Sequence, residues 1–550
     1  MFDSWQNGPC CRTEPSTLTH TSDLSWDMDM GSRGFVFLLL LGYPFLQDTA
    51  KILTVCLIGG SHYMLLDEIS HTFHLSGHQV RMLLQMGNPV IRGLDYNGRA
   101  ESYQMTSWSA GKSYIRDYNR WFLEQQKEFL MGRDNFSNFL SFMGHLAYQC
   151  DLVLGDSGLM SYLQSEFYDL AILDAFNPCS FLVAHRLGVP YVAFYPGALS
   201  GPLSVGLPGP LSYVPVFNSE LSDSMGLWGR AKNLLLALLA PAAEELVLSK
   251  FREVGERHFQ TPPALSDLYT GAELWAFNTD FSLEFPQPLM PHTLCVGGLL
   301  SKPAKAVSQE LEEFISGCGE PGFVVVTLGS MMSSVPLEEL LVEMNAGFAR
   351  ISQGVVWRYH PKRWPSHLQP ASNVKLLEWL PQNDLLGHPK ARLLVTHGGQ
   401  NSVLQAVYHG VPVLGIPLFG DQFDNLVRVE AKGMGLAIKP RDLNRNTLSS
   451  TIQRLTGNSR FKKSAVHRSR IHRSQPLPPG PRLVRWVEHV LHCGGGVHLR
   501  PASLRQPWYQ RCLLDVALIL VLVPLGVVSL LCLGCPRFRS RGRERKVKLR

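Results

Sequence analysis

Short apolar runs, each stopped by glycine or a lone polar residue and each followed by a helix-like stretch, recur between residues 51 and 416. This alternation constrains the fold more than any other feature of the chain. Residues 51–58 (KILTVCLI) end in Gly59-Gly60 and lead into a helical stretch over 63–75, and 79–84 is the next strand. Residues 168–173 (YDLAIL) stop at Asp174, a helix follows over 179–187, and 191–195 (YVAFY) is again a strand. The second half repeats the style with 322–328 (GFVVVTL), 354–359 (GVVWRY), 374–377, 391–396 (ARLLVT) and 411–416 (VPVLGI). Strands that alternate with helices form βαβ units and parallel sheets. Two series of about 200 residues each fit the ordinary size of a domain, so the expectation is an α/β protein of two doubly wound domains. The proline-rich stretch 285–303 reads as the linker between them. Ligands of such sheets bind beyond the carboxyl ends of the strands, where helix N-termini point, and a cleft between two such domains is the natural site.

Both ends read as membrane-directed. Residues 34–46 (GFVFLLLLGYPFL) are apolar but too short to span a bilayer, and with Arg33 before them they suit the core of a signal peptide over 30–50. The acidic segment 1–29 then reads as an extension ahead of a second start at Met30. Near the other end, 516–535 is an uncharged apolar run, long enough for a transmembrane helix. Eight Lys/Arg against one Glu follow it in 536–550, which marks the cytosolic side. The expected order is therefore extension 1–29, signal 30–50, first domain 51–297, and second domain 298–512 with helices returning to the first. A membrane span over 513–535 and a basic cytosolic tail over 536–550 complete it. The topology is type I, with the body in the lumen of the endoplasmic reticulum. Lys546 and Lys548 stand in the spacing of a dilysine retrieval signal, and Asn135-Phe136-Ser137 is a glycosylation sequon for a lumenal body.

The net charge of +6 lies almost wholly in the tail, so no basic domain remains for nucleic acid. Eleven cysteines show neither paired CxxC spacing nor CxxC with HxxxH. Neither a zinc site nor a disulfide framework is expected, and Cys150 and Cys179 read as ordinary buried thiols. No GxGxxG follows a strand, and Gly111-Lys112-Ser113 lacks the first glycine of a P-loop, since position 106 is Thr.

The informative stretch is 379–425, which carries HGGQNS and GDQFDN. The strand 391–396 runs into His397-Gly398-Gly399, and a helix begins near Asn401. The glycines let a ligand approach the backbone, and the free N–H groups at the helix start suit a diphosphate. His397 and Ser402 add hydrogen bonds, and Gly399 and Asn401 count with them as donor contacts. Asp421 and Gln422 suit sugar hydroxyls, Trp379 can stack on a flat base with Gln382 at its edge, and Ser330 after 322–328 can meet the diphosphate.

This block resembles the signature of the UDP-glycosyltransferases. Residues 59–63 (GGSHY), 211–217 (LSYVPVF), 326–331 (VTLGSM) and 395–402 (VTHGGQNS) resemble the family 3 branch. The resemblance implies a GT-B fold and inverting transfer from a UDP-sugar to the hydroxyl of a small lipophilic acceptor, with no cofactor and no metal. It also implies two catalytic positions. His62 would be the general base, kept neutral by the helix start on which it sits, and Asp174 would fix its tautomer and stabilise the cation. The family pattern has Glu, binding both ribose hydroxyls, where this chain has Gln405, and Pro where it has Phe423. A neutral amide binds more weakly than a carboxylate. The rival reading is therefore a catalytically weak or inactive UDP-sugar-binding membrane protein that partners active relatives. Partners on either reading are the UDP-sugar, the acceptor, the membrane and an oligomer with itself or related transferases. The absence of a placed cation favours UDP-glucose, UDP-xylose or UDP-N-acetylglucosamine over UDP-glucuronate.

Overall fold

Among the described residues, thirteen strands build two parallel sheets. A computed structural model of the chain describes residues 49–86, 102–199, 203–332 and 334–534. The acidic extension, almost all of the signal segment and the basic tail with Lys546 and Lys548 lie outside the described residues. The first sheet contains β1 (Lys51–Cys56), β2 (Gln79–Met86), β3 (Gln104–Ser109), β4 (Leu170–Asp174), β5 (Tyr191–Tyr195), β6 (Trp275–Phe277) and β7 (Thr293–Cys295). Its order is β3-β2-β1-β4-β5-β6-β7. The second contains β8 (Phe323–Thr327), β9 (Gly354–Arg358), β10 (Val374–Leu377), β11 (Ala391–Thr396), β12 (Val413–Gly415) and β13 (Gly435–Ala437), in the order β10-β9-β8-β11-β12-β13. Every pairing is parallel. In each sheet the order reverses once, between β1 and β4 and between β8 and β11; His62 and Asp174 stand at the first of these switch points, and Ser330 and His397 at the second.

Local chemistry explains the elements. β4, β5 and β8 are buried almost throughout, as strands covered by helices on both faces must be, and they read as continuous apolar runs. The helix Pro178–Leu187 starts with Asn177 capping the Cys179 N–H and Pro178 in its first turn, and stops at Gly188 in the left-handed region (φ 69°). The helix Pro479–His492 crosses back onto the first sheet. Its Leu483, Val484, Val487 and Val490 share a core with Ile52, Leu65, Ile69, Phe73 and Met82. Burying each such side chain contributes ~1.5–3 kcal/mol.

Two expectations need correcting. Cys150 and Cys179 are joined in a disulfide; they sit on helices that pack side by side, a proximity that linear spacing does not reveal. The proline-rich 285–303 is not a free linker, because β7 lies within it and completes the first sheet. At the C-terminus the helix Leu514–Gly534 is exposed, and its 19-residue stretch Leu514–Cys532 (mean hydropathy 2.6) is long and apolar enough to cross a membrane.

Candidate active site

His62 and Asp174 meet at the first switch point. β1 ends, Gly59 and Gly60 turn the chain through positive φ (92° and 62°), and His62 is the second residue of the helix Ser61–Leu75. Asp174 is the last residue of the neighbouring strand β4. The His62 Nδ1 lies 2.8 Å from Asp174 Oδ2, and Asp174 is fully buried while His62 is 18% exposed. The other carboxylate oxygen accepts the Phe176 N–H (3.1 Å), and the Phe176 ring meets the imidazole edge-on at 5.4 Å. The carboxylate is thus held from behind and the ring from the side. With Nδ1–H donated to Asp174, Nε2 is left as the acceptor.

The helix start is expected to disfavour the imidazolium, and the carboxylates around His62 act in the opposite direction. Burial does pull its pKa down. The charge and hydrogen bond of Asp174, with the charge of Asp421 from the second domain, outweigh burial, and the net shift is upward. Asp421 is itself raised by burial, against the stabilising Asn425, Arg428 and His62; its Oδ2 accepts from Asn425 Nδ2 at 2.9 Å. The imidazole thus sits in the field of two carboxylates, one from each domain.

At the second switch point, the imidazole of His397 fills the space that side chains at Gly329 and Gly399 would need. A Cβ at either glycine would lie 2.5 Å from its Nε2. His397 is pushed down to about 4 by burial and by Arg358, so it is a neutral donor or acceptor rather than a cation. Ser330 sits in the loop after β8, and Gly399 opens the helix Gln400–His409. Arg358, at the end of β9, was not foreseen. Its guanidinium donates to the carbonyls of Gly329, Ser330 and Met332 and lies 4.8 Å from the centre of the Trp379 ring. Trp379 remains 39% exposed. One arginine therefore ties the Ser330 loop to the exposed tryptophan, and the single basic residue ending an apolar strand was the available signal.

Three predicted residues form one network. Gln382 Nε2 donates to Ser402 Oγ (3.1 Å) and to Gln405 Oε1 (2.7 Å), and Gln405 Nε2 donates to the Leu300 carbonyl (3.0 Å). Gln405 is 7% exposed, with oxygen and nitrogen both engaged. Asn401 Oδ1 accepts from Asn278 Nδ2 (2.8 Å), and Gln400 Nε2 donates to the Asn278 carbonyl (3.0 Å). Asn278, just beyond β6, thus latches the helix Gln400–His409 to the first domain, and nothing in sequence pattern pointed to it. Gln422 turns its oxygen back to the N–H groups of Leu418 and Phe419 (2.9 and 3.2 Å) and away from a role as a free acceptor. Asn135 is exposed and caps the helix Phe136–Gly155. In the first domain, a small recess beside the end of β1 is lined by Ile58, Met86, Tyr114, Tyr118 and Leu146 together with Gln85 and Gln149.

Comparison with known proteins now adds to this geometry. The family model for UDP-glucoronosyl and UDP-glucosyl transferases matches residues 50–548. The chain belongs to this family of UDP-glycosyltransferases. UDP-glucuronosyltransferase 3A1 of Xenopus laevis is 45% identical over 505 residues, 92% of this chain and 96% of that protein. UDP-glucuronosyltransferase 3A2 of Homo sapiens is 44% identical over 519 residues, 93% and 98% of the two chains. The human 2-hydroxyacylsphingosine 1-beta-galactosyltransferase is 34% identical over 489 residues, 88% of each. Among solved structures, the calicheamicin glycosyltransferase CalG4 superposes with a TM-score of 0.56 at 18% identity, covering 80% of this chain and 98% of its own. The glycosyltransferase VinC, in complex with dTDP, does so with 0.53 at 18% identity, covering 80% and 99%. These structures share the fold, which is GT-B. Glycosyl transfer from a UDP-sugar is the family's chemistry, and the apolar Leu514–Cys532 stretch fits a single-pass membrane protein.

Proposed function

We propose that this UDP-glycosyltransferase moves a sugar, with inversion, onto the hydroxyl of a small lipophilic acceptor, with His62 as general base and Asp174 as its support. The observation that carries the reading is the 2.8 Å His62–Asp174 pair at the first switch point. His62 Nε2 takes the acceptor's proton as the oxygen attacks the anomeric carbon and UDP departs. Asp174 holds the tautomer and stabilises the imidazolium. The N–H groups at the start of the helix Gln400–His409, with neutral His397, receive the leaving diphosphate without a metal. Trp379 stacks on the base, Asp421 receives sugar hydroxyls, and the first domain, which carries His62, receives the acceptor.

A sugar without a carboxylate suits this site, since Arg428 is already paired with Glu284 at 2.5 Å. The decisive assay incubates the detergent-solubilised full chain with radiolabelled UDP-glucose, UDP-xylose, UDP-N-acetylglucosamine and UDP-glucuronate over phenolic and steroid acceptors. Transfer that disappears in His62→Ala while UDP still binds is the expected result. Equal transfer by His62→Ala would remove the base from the mechanism.

The second reading, a weak or inactive partner of active relatives, is favoured by Gln405, whose amide is spent within the protein. UDP binding without transfer from any donor would select it. We further propose residence in the endoplasmic reticulum with a lumenal body. In intact microsomes, added protease then removes only the basic tail, and digestion of the body without detergent would overturn that orientation.

A further inference from the structure

Far along the chain from the donor cleft, the last turn of the helix Pro479–His492 and the turn that follows gather His489, Cys493 and His498. One ligating atom from each lies within 4.8 Å of the others. We propose that these three side chains form a binding site for a zinc-class divalent cation. This departs from the sequence expectation, because HxxxC followed by a histidine after GGGV matches none of the paired spacings looked for there.

The geometry is close to what the metal requires. Zn–N bonds of about 2.0–2.1 Å at a tetrahedral angle hold two nitrogens about 3.3 Å apart. The Nε2 atoms of His489 and His498 lie 3.0 Å apart, with the rings 79° from coplanar. Without a cation one imidazole must present Nε2–H to the other, so a single proton occupies the place of the metal. The Cys493 sulfur lies 3.7 and 3.9 Å from the two nitrogens of His489. It flanks the ring, on an exposed residue. Two imidazoles and a thiolate select Zn²⁺ and its soft neighbours over Ca²⁺ or Mg²⁺, which take oxygen ligands. Three protein ligands leave the fourth position to solvent.

The site is also built. His489 and Cys493 are four residues apart on one helix face. His498 returns to them because Gly494 and Gly495 take positive φ (66° and 130°). The turn is fixed from outside. The Gly496 N–H donates to Glu273 Oε2 at 2.6 Å, a Cβ at Gly496 would strike the Glu273 carbonyl at 2.4 Å, and Arg500 pairs with the same carboxylate at 2.8 Å. The Trp486 ring meets His489 edge-on at 5.7 Å. Two of the three ligands are thus oriented by contacts other than the metal, as a preorganised site requires.

The test uses the full chain in detergent, purified without a metal-affinity tag. Equilibrium dialysis against Zn²⁺ should leave about one ion per chain by elemental analysis. Co²⁺ in its place should give a thiolate-to-metal charge-transfer band that Cys493→Ser abolishes. Loss of an outer-sphere partner costs 10–100-fold in metal affinity, so His489→Ala and His498→Ala, which remove a ligand outright, should each weaken Zn²⁺ binding by about a hundredfold or more. Thermal melting separates misfolding from lost binding: in EDTA all variants should melt with the wild type, and only the wild type should gain stability from Zn²⁺. Wild type that takes up no stoichiometric zinc, or uptake equal in all variants, would overturn the proposal.

Discussion

Replacing Asp174 by Asn tests the proposed mechanism most sharply, because the structure dictates how the amide must sit. The Phe176 N–H points at one oxygen of the native carboxylate. In the variant the amide oxygen keeps that hydrogen bond, which leaves the NH₂ group facing His62 Nδ1 at the position of an oxygen now 2.8 Å away. An NH₂ cannot accept, so Nδ1 must become the acceptor and the ring proton moves to Nε2. The base is then capped by the proton it should be taking. General-base catalysis is worth ~10²–10⁴-fold, so turnover should fall by that range, about 2.7–5.4 kcal/mol at 1.36 kcal/mol per decade. UDP affinity should hold, because the proposed donor contacts are on the other domain.

The pH profile supplies a second readout. His62 is raised above its ordinary value of about 6.5. A base works in its neutral form, so wild-type kcat/KM should rise with pH through that raised value. Asn removes the largest charge holding the imidazolium, and the residual acid limb should move to lower pH. Steady-state rates from pH 5 to 9, with UDP titrated calorimetrically on both proteins, make the measurement. Wild-type turnover with an unmoved acid limb in the Asn variant would refute the assignment of the pair.

Gln405→Glu should forfeit the bond to Leu300 and leave a buried carboxylate against a carbonyl, costing the empty protein ~1–3 kcal/mol by denaturant melts; ribose hydroxyls relieve that penalty, so UDP should bind about five- to tenfold tighter by calorimetry, and equal or weaker binding would mean the ribose is held elsewhere. Arg358→Met removes a cation from under Trp379 worth ~0.5–2 kcal/mol, so the donor KM should rise roughly two- to thirtyfold with kcat less affected, and an unchanged KM would release Trp379 from the donor site. Replacing Cys150 and Cys179 together by Ser opens a loop with a sequence separation of 29, for which chain entropy gives about 3.5 kcal/mol. A melting temperature equal to wild type under oxidising conditions would show that the bridge adds no stability.

Buried strands were legible: β5 and β11 match their expected bounds because a strand covered on both faces is largely apolar, and the half-buried edge strand β10 matches as well. His62 and Asp174 came from the resemblance to the UDP-glycosyltransferases, and only Asp174 stands where an apolar run stops. β3 (QMTSWS) was missed, because an edge strand is free to be polar. β6 and β7 were missed because three residues carry no period. The Asn278–Asn401 latch, the Cys150–Cys179 bridge and the upward shift of His62 all depend on which distant elements meet, and that information is absent from local pattern.

The helix Pro479–His492 has a consequence for how the chain is made. The first sheet is complete once Cys295 has left the ribosome, yet the apolar face later covered by Leu483, Val484, Val487 and Val490 stays open until residue 490 follows. At ~5–20 residues per second that gap lasts roughly 10–40 s. During it Ile69, Phe73 and their neighbours lie bare to any other nascent chain or chaperone nearby. The domain that carries His62 therefore matures last, although it is synthesised first, and a truncation before residue 479 should yield a first domain that aggregates.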